Sequence, residues 1–153
     1  MTAHSQSRVV PYTADLMYAV VADVEKYPQF LPWCLALRLL TREETKGREV
    51  LLAEMLVGFG TLRERYTSRV VLDAAARTVD VSQADGSFRQ LETHWRFTPQ
   101  GEGCGVDFSI AFEFKNHLLD AVAGRAFEYA LLKMTDAFEA RAKALSTPAV
   151  CRA

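Results

Sequence analysis

The chain is short of the groups from which metal, disulfide and phosphate sites are built. Three cysteines in 153 residues, Cys34, Cys104 and Cys151, are odd in number, widely spaced and without a C-x-x-C pair. That argues against a disulfide framework or a thiolate zinc site and points to reduced thiols in a cytosol. The three histidines, His4, His94 and His117, fall in different predicted elements, and no pair has metal-ligand spacing. No Gly-rich phosphate loop is present; Gly101, Gly103 and Gly105 cluster in a predicted hairpin turn instead. No run approaches the ~20 apolar residues that span a bilayer. A net charge of −1 gives little attraction to nucleic acid. The start, Met1 to Arg8, has no apolar segment of the secretory kind. Strand-like sequence begins almost at once, which leaves no room for a transit presequence. A cytoplasmic protein is expected, peripheral at most to the inner face of a membrane.

What is present is an ordinary globular composition, 50% hydrophobic and 24% charged. One domain over residues 1–153 is expected, with a core of about 4–145 and a frayed tail from 146. Such a chain buries about two thirds of its unfolded surface. Ser5 to Val10 reads as a strand ended by Pro11. Thr13 then caps a short helix with Asp15 in its first turn and Leu16, Met17, Val20 and Val21 as its buried stripe. From Leu35 to Lys115 the period is two. Leu35, Leu37 and Leu39 alternate with Ala36, Arg38 and Leu40. Lys46-Gly47 and Asp85-Gly86 are turn signals. Leu62, Glu64, Tyr66, Ser68 and Val70 share one face of a strand, and Leu91, Thr93, Trp95 and Phe97 share one face of another. Val106, Phe108, Ile110, Phe112 and Phe114 form a clean apolar face. The chain closes with a predicted helix over 118–145, capped by Asn116. Its stripe is Leu119, Ala123, Phe127, Leu131, Met134, Phe138, Ala142 and Leu145.

The stretch Asp23 to Cys34, DVEKYPQFLPWC, organises the rest. Pro28 and Pro32 forbid a long helix and stiffen the backbone. One or two short helical turns should hold Tyr27, Phe30, Leu31 and Trp33 at one end of an apolar cavity, or anchor the core there. A sheet with one apolar face must cover it, and only the last helix, ~40 Å long at 1.5 Å per residue, is long enough. A curved sheet wrapped round one helix leaves space between them. Gly58 and Gly60 fit the bends this needs, and Ala121, Ala123 and Gly124 keep the helix slim.

This order of elements resembles the helix-grip (START/Bet v 1-like) fold of START-like and polyketide cyclase-like domains. That is an α+β fold: an antiparallel sheet of about six or seven strands curved round a long C-terminal helix, with two short helices after strand 1. Within it, Tyr27-Pro28-Gln29-Phe30-Leu31-Pro32-Trp33-Cys34 strongly resembles the signature of the coenzyme Q-binding family. Val9, Pro11-Tyr12-Thr13-Ala14, Asp23-Val24 and Phe112-Glu113-Phe114 fit the same pattern, and the resemblance covers residues 4 to 145. It implies non-enzymatic binding or chaperoning of ubiquinone or a related polyprenyl quinone as bound ligand, in support of respiration or quinone synthesis, with no other cofactor. The partners implied are a transient membrane surface and quinone-biosynthesis or respiratory proteins. Bacterial members include a ribosome-association toxin group, so binding to ribosomal subunits is an alternative role. An aromatic polyketide cyclase or dehydratase is another, and it requires a perturbed acid or base inside the cavity.

A quinone needs an apolar tunnel, a few polar groups and aromatic faces. Phe30, Leu31 and Trp33 are the candidates for the mouth. Trp95, Phe97, Phe108, Ile110 and Phe112 are candidates for the sheet wall, and Val122, Ala123, Phe127 and Leu131 for the helix wall; core packing is the default role of each wall residue. Lys26, Glu54 and Glu64 are candidate head-group contacts, with a solvated surface role as the default for Lys26. No residue is assigned to catalysis or to a metal. His94 lies in the polar phase of its strand, and nothing places a base beside Cys34. Arg63, Arg65 and Arg69 line one strand face, most simply as a solvated face balanced by acids.

Overall fold

Alternating inward and outward side chains carry β1 (Thr2–Val10) as far as Pro11. The computed structural model describes residues 2–59, 61–86 and 88–146; at positions 59, 62, 119, 120, 122–124, 127 and 131 it describes the backbone alone. The tail expected beyond Ser146 lies outside the described residues. After Pro11, the Thr13 hydroxyl accepts a hydrogen bond from the Leu16 amide at 3.1 Å and so caps α1 (Ala14–Ala22). That helix buries Ala14, Met17, Val20 and Val21, and Asp15 in its first turn pairs with Arg77 at 2.8 Å.

Two prolines keep the next segment short. A 3-10 turn spans Val24–Gln29 with Pro28 inside it. The Tyr27 carbonyl accepts from the amides of Phe30 (3.2 Å) and Leu31 (2.9 Å), and the Tyr27 hydroxyl donates to the Val21 carbonyl. The Gly58 amide donates to the Trp33 carbonyl at 2.9 Å, which fastens the segment to the sheet.

Six strands follow: β2 (Cys34–Thr45), β3 (Arg48–Phe59), β4 (Leu62–Asp73), β5 (Thr78–Asp85), β6 (Phe88–Gln100) and β7 (Gly103–Phe114). Each pairs antiparallel with the next, and β1 adds to β7, giving the order β1-β7-β6-β5-β4-β3-β2. Lys46 and Gly47 both have positive φ (54° and 78°), as a tight two-residue hairpin turn demands. Register shifts at Cys34/Ala36 and Leu39/Thr41, at Thr67/Ser68 and at Phe88/Gln90 mark the irregularities where a strand can bend. This corrects the expectation that glycines bend the sheet. Gly58 pairs regularly with Arg63, and a Cβ there would lie 2.6 Å from Leu35 Cδ1; Gly60 lies outside the described residues. The shift after Cys34 also takes Leu35 out of phase with Leu37 and leaves it exposed.

The C-terminal helix is two helices, not one. α2 (His117–Leu132) and α3 (Met134–Ser146) meet at Lys133. The Lys133 amide is shared between the Tyr129 carbonyl (3.3 Å) and the Ala130 carbonyl (3.2 Å), a local tightening with no proline or glycine at the break. Asn116 accepts from the Leu118 amide at 2.8 Å, as its predicted capping role requires. Met134, Phe138 and Ala142 are buried, but Leu145 is exposed, so the stripe ends before the helix does. Inward side chains of β1 tie down the helix pair. Arg8 bonds Asp136 (2.8 Å) and Glu139 (3.1 Å), Thr135 donates to Gln6 (2.7 Å), and His4 stands 3.6 Å from Glu128. The core lies between the sheet's inner face and the α1, Tyr27 and α3 layer.

Candidate ligand cavity

The inward phase of β3 to β6 changes character in mid-sheet. Near β7 it carries large aromatics: Phe97, Phe108 and Phe112 are buried, and Trp95 lies 4.3 Å from Phe108 and 6.0 Å from Phe97 between ring centroids. Towards β3 it carries Ala53, Met55, Tyr66, Ser68, Val70 and Val81. The smaller set does not fill the space beneath the helices, and a cavity of about 70 Å³ remains. Val24, Tyr27, Trp33 and Leu37 line one side of it, Leu91, Thr93, Trp95 and Ile110 another, and Met134 and Phe138 of α3 close it. Among the described residues that line it, none is charged and none is a histidine.

Phe138 joins the three layers at this point. Its ring meets Tyr27 at 5.3 Å, Phe30 at 5.4 Å and Trp95 at 5.2 Å, all edge to face. That geometry sets the positive edge of one ring against the negative face of another.

The phenols that line the cavity, and the Cys34 thiol near them, are held neutral. Burial raises the pKa of the Tyr27 and Tyr66 hydroxyls and pushes the Cys34 thiol up to about 11. Tyr66 donates only to Met55 Sδ, at 3.4 Å, and shares a hydrogen bond with Ser68. At neutral pH these groups offer hydrogen bonds but no base and no thiolate nucleophile.

Of the residues singled out from the sequence, Tyr27, Trp33, Trp95 and Ile110 line this cavity. The other described ones are placed elsewhere. Leu31 is 1% exposed and packs in the core without lining the cavity, and its carbonyl accepts from the Cys34 amide at 3.0 Å. Phe30 faces α3, with the Arg141 guanidinium 5.1 Å from its ring centroid. Phe97 packs against Tyr18 of α1, and Phe108 and Phe112 fill the β7 end of the core. The side chains of Val122, Ala123, Phe127 and Leu131 lie outside the described residues. Lys26 is exposed beside Phe30 and Arg141, on the far side of the Pro-rich turn from the cavity.

Glu54 does not enter the cavity. Strand alternation sends Ala53 and Met55 inward and Glu54 outward, where it meets Arg38 (3.2 Å) and Arg65 (3.3 Å). Glu64 sits opposite Val57, in the inward phase but near the end of the β3–β4 hairpin, and does not line the cavity. The outer face of the sheet also pairs Arg48 with Asp73 (3.1 Å), while Arg42 and Glu49 (2.6 Å) pair on the inward phase at the open end of the sheet, beside α1.

Sequence reasoning missed Ser68 and Thr93. Both are cavity-lining hydroxyls on phases otherwise apolar, and a polar residue out of phase was the signal available. It also favoured Phe97, Phe108 and Phe112, which fill the β7 end of the core and do not line the cavity.

Comparison with known proteins agrees with this architecture. Residues 10–139 match the model of the family described as polyketide cyclase / dehydrase and lipid transport. The chain is 37% identical over 147 residues to the ribosome association toxin RatA of Pseudomonas aeruginosa, covering 95% of this chain and 99% of that one. It is 36% identical over 143 residues to the mitochondrial coenzyme Q-binding protein COQ10 homolog B of Xenopus laevis, covering 91% of this chain and 57% of that one. The solution structure of the 18 kDa protein CC1736 from Caulobacter crescentus superposes with a TM-score of 0.78 at 39% identity, over 97% of this chain and all of that one. With the family model spanning most of the chain and relatives this similar along nearly all of it, the chain belongs to the polyketide cyclase / dehydrase and lipid transport family.

Proposed function

We propose that the protein is a non-enzymatic carrier that holds a polyprenyl quinone between its sheet and its C-terminal helices. The observation that carries this reading is a cavity whose described lining is uncharged: two tryptophans, two methionines, aliphatic groups and a few hydroxyls. Apolar walls with a few hydrogen-bonding groups suit a ring bearing oxygens on a hydrocarbon tail. The neutral lining supports binding over cyclisation, since acid–base chemistry needs a group poised to exchange a proton near the working pH. The name of the COQ10 relative supports the same ligand class.

A cavity of about 70 Å³ is several-fold smaller than the ~300–1,000 Å³ of common ligand sites. Loading therefore requires a wall to move. α3 is tied to β1 by Arg8 and Gln6 at 2.7–3.1 Å and to the Pro-rich turn by Phe138, whereas α2 meets β1 through the longer His4–Glu128 (3.6 Å) and Gln6–Leu132 (3.5 Å) contacts. α2, which packs on β3, β7 and α3, is the element assigned to open. Tyr129 and Leu118, both exposed on α2, give its outer side an apolar character suited to a brief stop at a membrane.

Organic extraction of purified protein, followed by mass spectrometry, tests the reading. A stoichiometric polyprenyl quinone is expected, and Trp33→Ala should lower it while the fold persists. An extract without enriched quinone, even after incubation with quinone-loaded vesicles, overturns the proposal. A second reading, binding to ribosomal subunits, is favoured by the name of the RatA relative. The paired charges of the outer face, Arg38 and Arg65 on Glu54 and Arg48 on Asp73, give it little electrostatic support, and salt-sensitive co-sedimentation with ribosomes would establish it.

A further inference from the structure

Two hydroxyls stand on the inward face of the sheet where strand alternation calls for apolar side chains. Ser68 on β4 is 3% exposed and Thr93 on β6 is 8% exposed, and both line the cavity. They belong to neighbouring rows. Thr93 is flanked in register by Val81 and Ile110, and Ser68 by Ala53 and Gln83. Two strand spacings of ~4.8 Å and one two-residue step of ~6.8 Å along the strand put their Cα atoms about 12 Å apart. Side chains rising from each span the width of one ring.

Burying a hydroxyl without a full set of partners is unfavourable, and natural cores rarely retain one without cause. Thr93 lines the cavity and is 8% exposed, so its hydroxyl borders an internal space and not bulk water. Ser68 has the Tyr66 hydroxyl, whose own remaining partner is the weak acceptor Met55 Sδ. Valine at 93 and alanine at 68 would fit the same pattern without that cost. The hydroxyls are therefore explained best by something that enters the cavity and bonds to them.

We propose that Ser68 and Thr93 form the polar subsite of the cavity and hold oxygens on opposite edges of one ligand ring, so that the site selects an oxygenated ring over a bare hydrocarbon. This rests on the carrier reading above and names the groups that give it specificity. A hydroxyl donates to a quinone carbonyl and accepts from a quinol, so the pair serves both redox forms without a charge.

The test uses the full chain and two probes with the same tail, a decyl-substituted para-benzoquinone and decylbenzene. Quinone binding is read by quenching of Trp33 and Trp95 fluorescence, and decylbenzene by competition and calorimetry. Thr93→Val and Ser68→Ala should each weaken quinone binding about five- to tenfold, one lost hydrogen bond apiece. They should leave decylbenzene binding unchanged and the unliganded protein as stable as before or more so. Thr93→Ser, which keeps the hydroxyl, should retain the preference for quinone. Equal binding of both probes that neither variant alters overturns the subsite and leaves the carrier reading standing. Variants that change stability but not the ratio of the two affinities do the same, because the hydroxyls then serve the fold alone. Failure of wild type to bind either probe overturns the carrier reading itself.

Discussion

Replacing Phe138 with alanine should cost about 4 kcal/mol of folding stability. The side chain is 1% exposed and touches the Pro-rich turn, the sheet and its own helix together. Phe→Ala in a core typically costs about 3–5 kcal/mol. Two features place this site in the upper half of that range. Three edge-to-face partners at 5.2–5.4 Å are lost at once, each worth roughly 0.5–1.5 kcal/mol beyond burial though not additively. The new hole also joins an existing cavity, so the walls cannot collapse to fill it. For a chain of this length 1 kcal/mol moves the midpoint by about 2–4 °C, so Tm should fall by roughly 8–16 °C. Urea unfolding followed by far-UV circular dichroism is the appropriate assay, because tryptophan fluorescence would respond to the change beside Trp95 whatever the stability. The m-value should hold, since the surface exposed on unfolding changes little. Tyr129→Ala on the exposed side of α2 is the control and should stay within about 0.5 kcal/mol. A loss below about 1.5 kcal/mol for Phe138→Ala would refute the claim that this ring holds the three layers together.

Alkaline pH should weaken the fold. The native state keeps protons on Cys34, whose pKa is pushed up to about 11, and on Tyr27 and Tyr66, while the unfolded chain releases its thiol protons near pH 9 and its phenols near 10. Stability is thus constant below about pH 9 and is lost as pH rises from there, by up to ~1.4 kcal/mol per pH unit for each such group. Urea midpoints from pH 7 to 11 should show the fall, and Cys34→Ala should reduce its earliest part, to which the buried Cys104 thiol also contributes; a midpoint flat to pH 11 contradicts the burial argument. Gly103→Ala should also destabilise, because the added Cβ would lie 2.4 Å from the Val10 carbonyl oxygen, a backbone atom at the end of β1 that cannot swing aside. A cost of about 1–3 kcal/mol in the same urea assay is expected, and a neutral variant would mean that β1 and β7 separate there easily.

Most of the fold was legible because it rests on local periodicity. The alternation in β4, β6 and β7, the Thr13 and Asn116 caps and the Lys46-Gly47 turn each require only a few neighbouring residues, and each stands where the pattern put it. The misses were non-local. Glu54 looked like a carboxylate in an apolar strand, and only the pairing of β3 with β2 and β4 turns it outward to two arginines. Leu35 is in phase with Leu37 along the chain, and only the irregularity after Cys34 removes it from that face. The break at Lys133 has no proline or glycine to announce it, and both halves have good helical sequence.

The cavity was the hardest part to read, and the reason is general. Interiors pack to crystal-like density, so an internal space survives only where side chains are too short to fill it. Aromatic residues, which suit a ligand chemically, are also those that close such a space. Phe97, Phe108 and Phe112 do this at the β7 end. The open side is marked instead by Ala53, Ser68, Val70, Val81 and Thr93, small or hydroxylated groups on strands whose inward phase would accept larger ones. Trp33 and Trp95 line the space because each stands at its rim, one on the stiff Pro-rich turn and one where the aromatic half of the sheet ends. A chain in this family that put large aliphatic residues at 53, 68 and 93 would keep every turn, cap and register described here and have no room for a ligand. The carrying capacity of the fold is thus set by what its middle strands leave out.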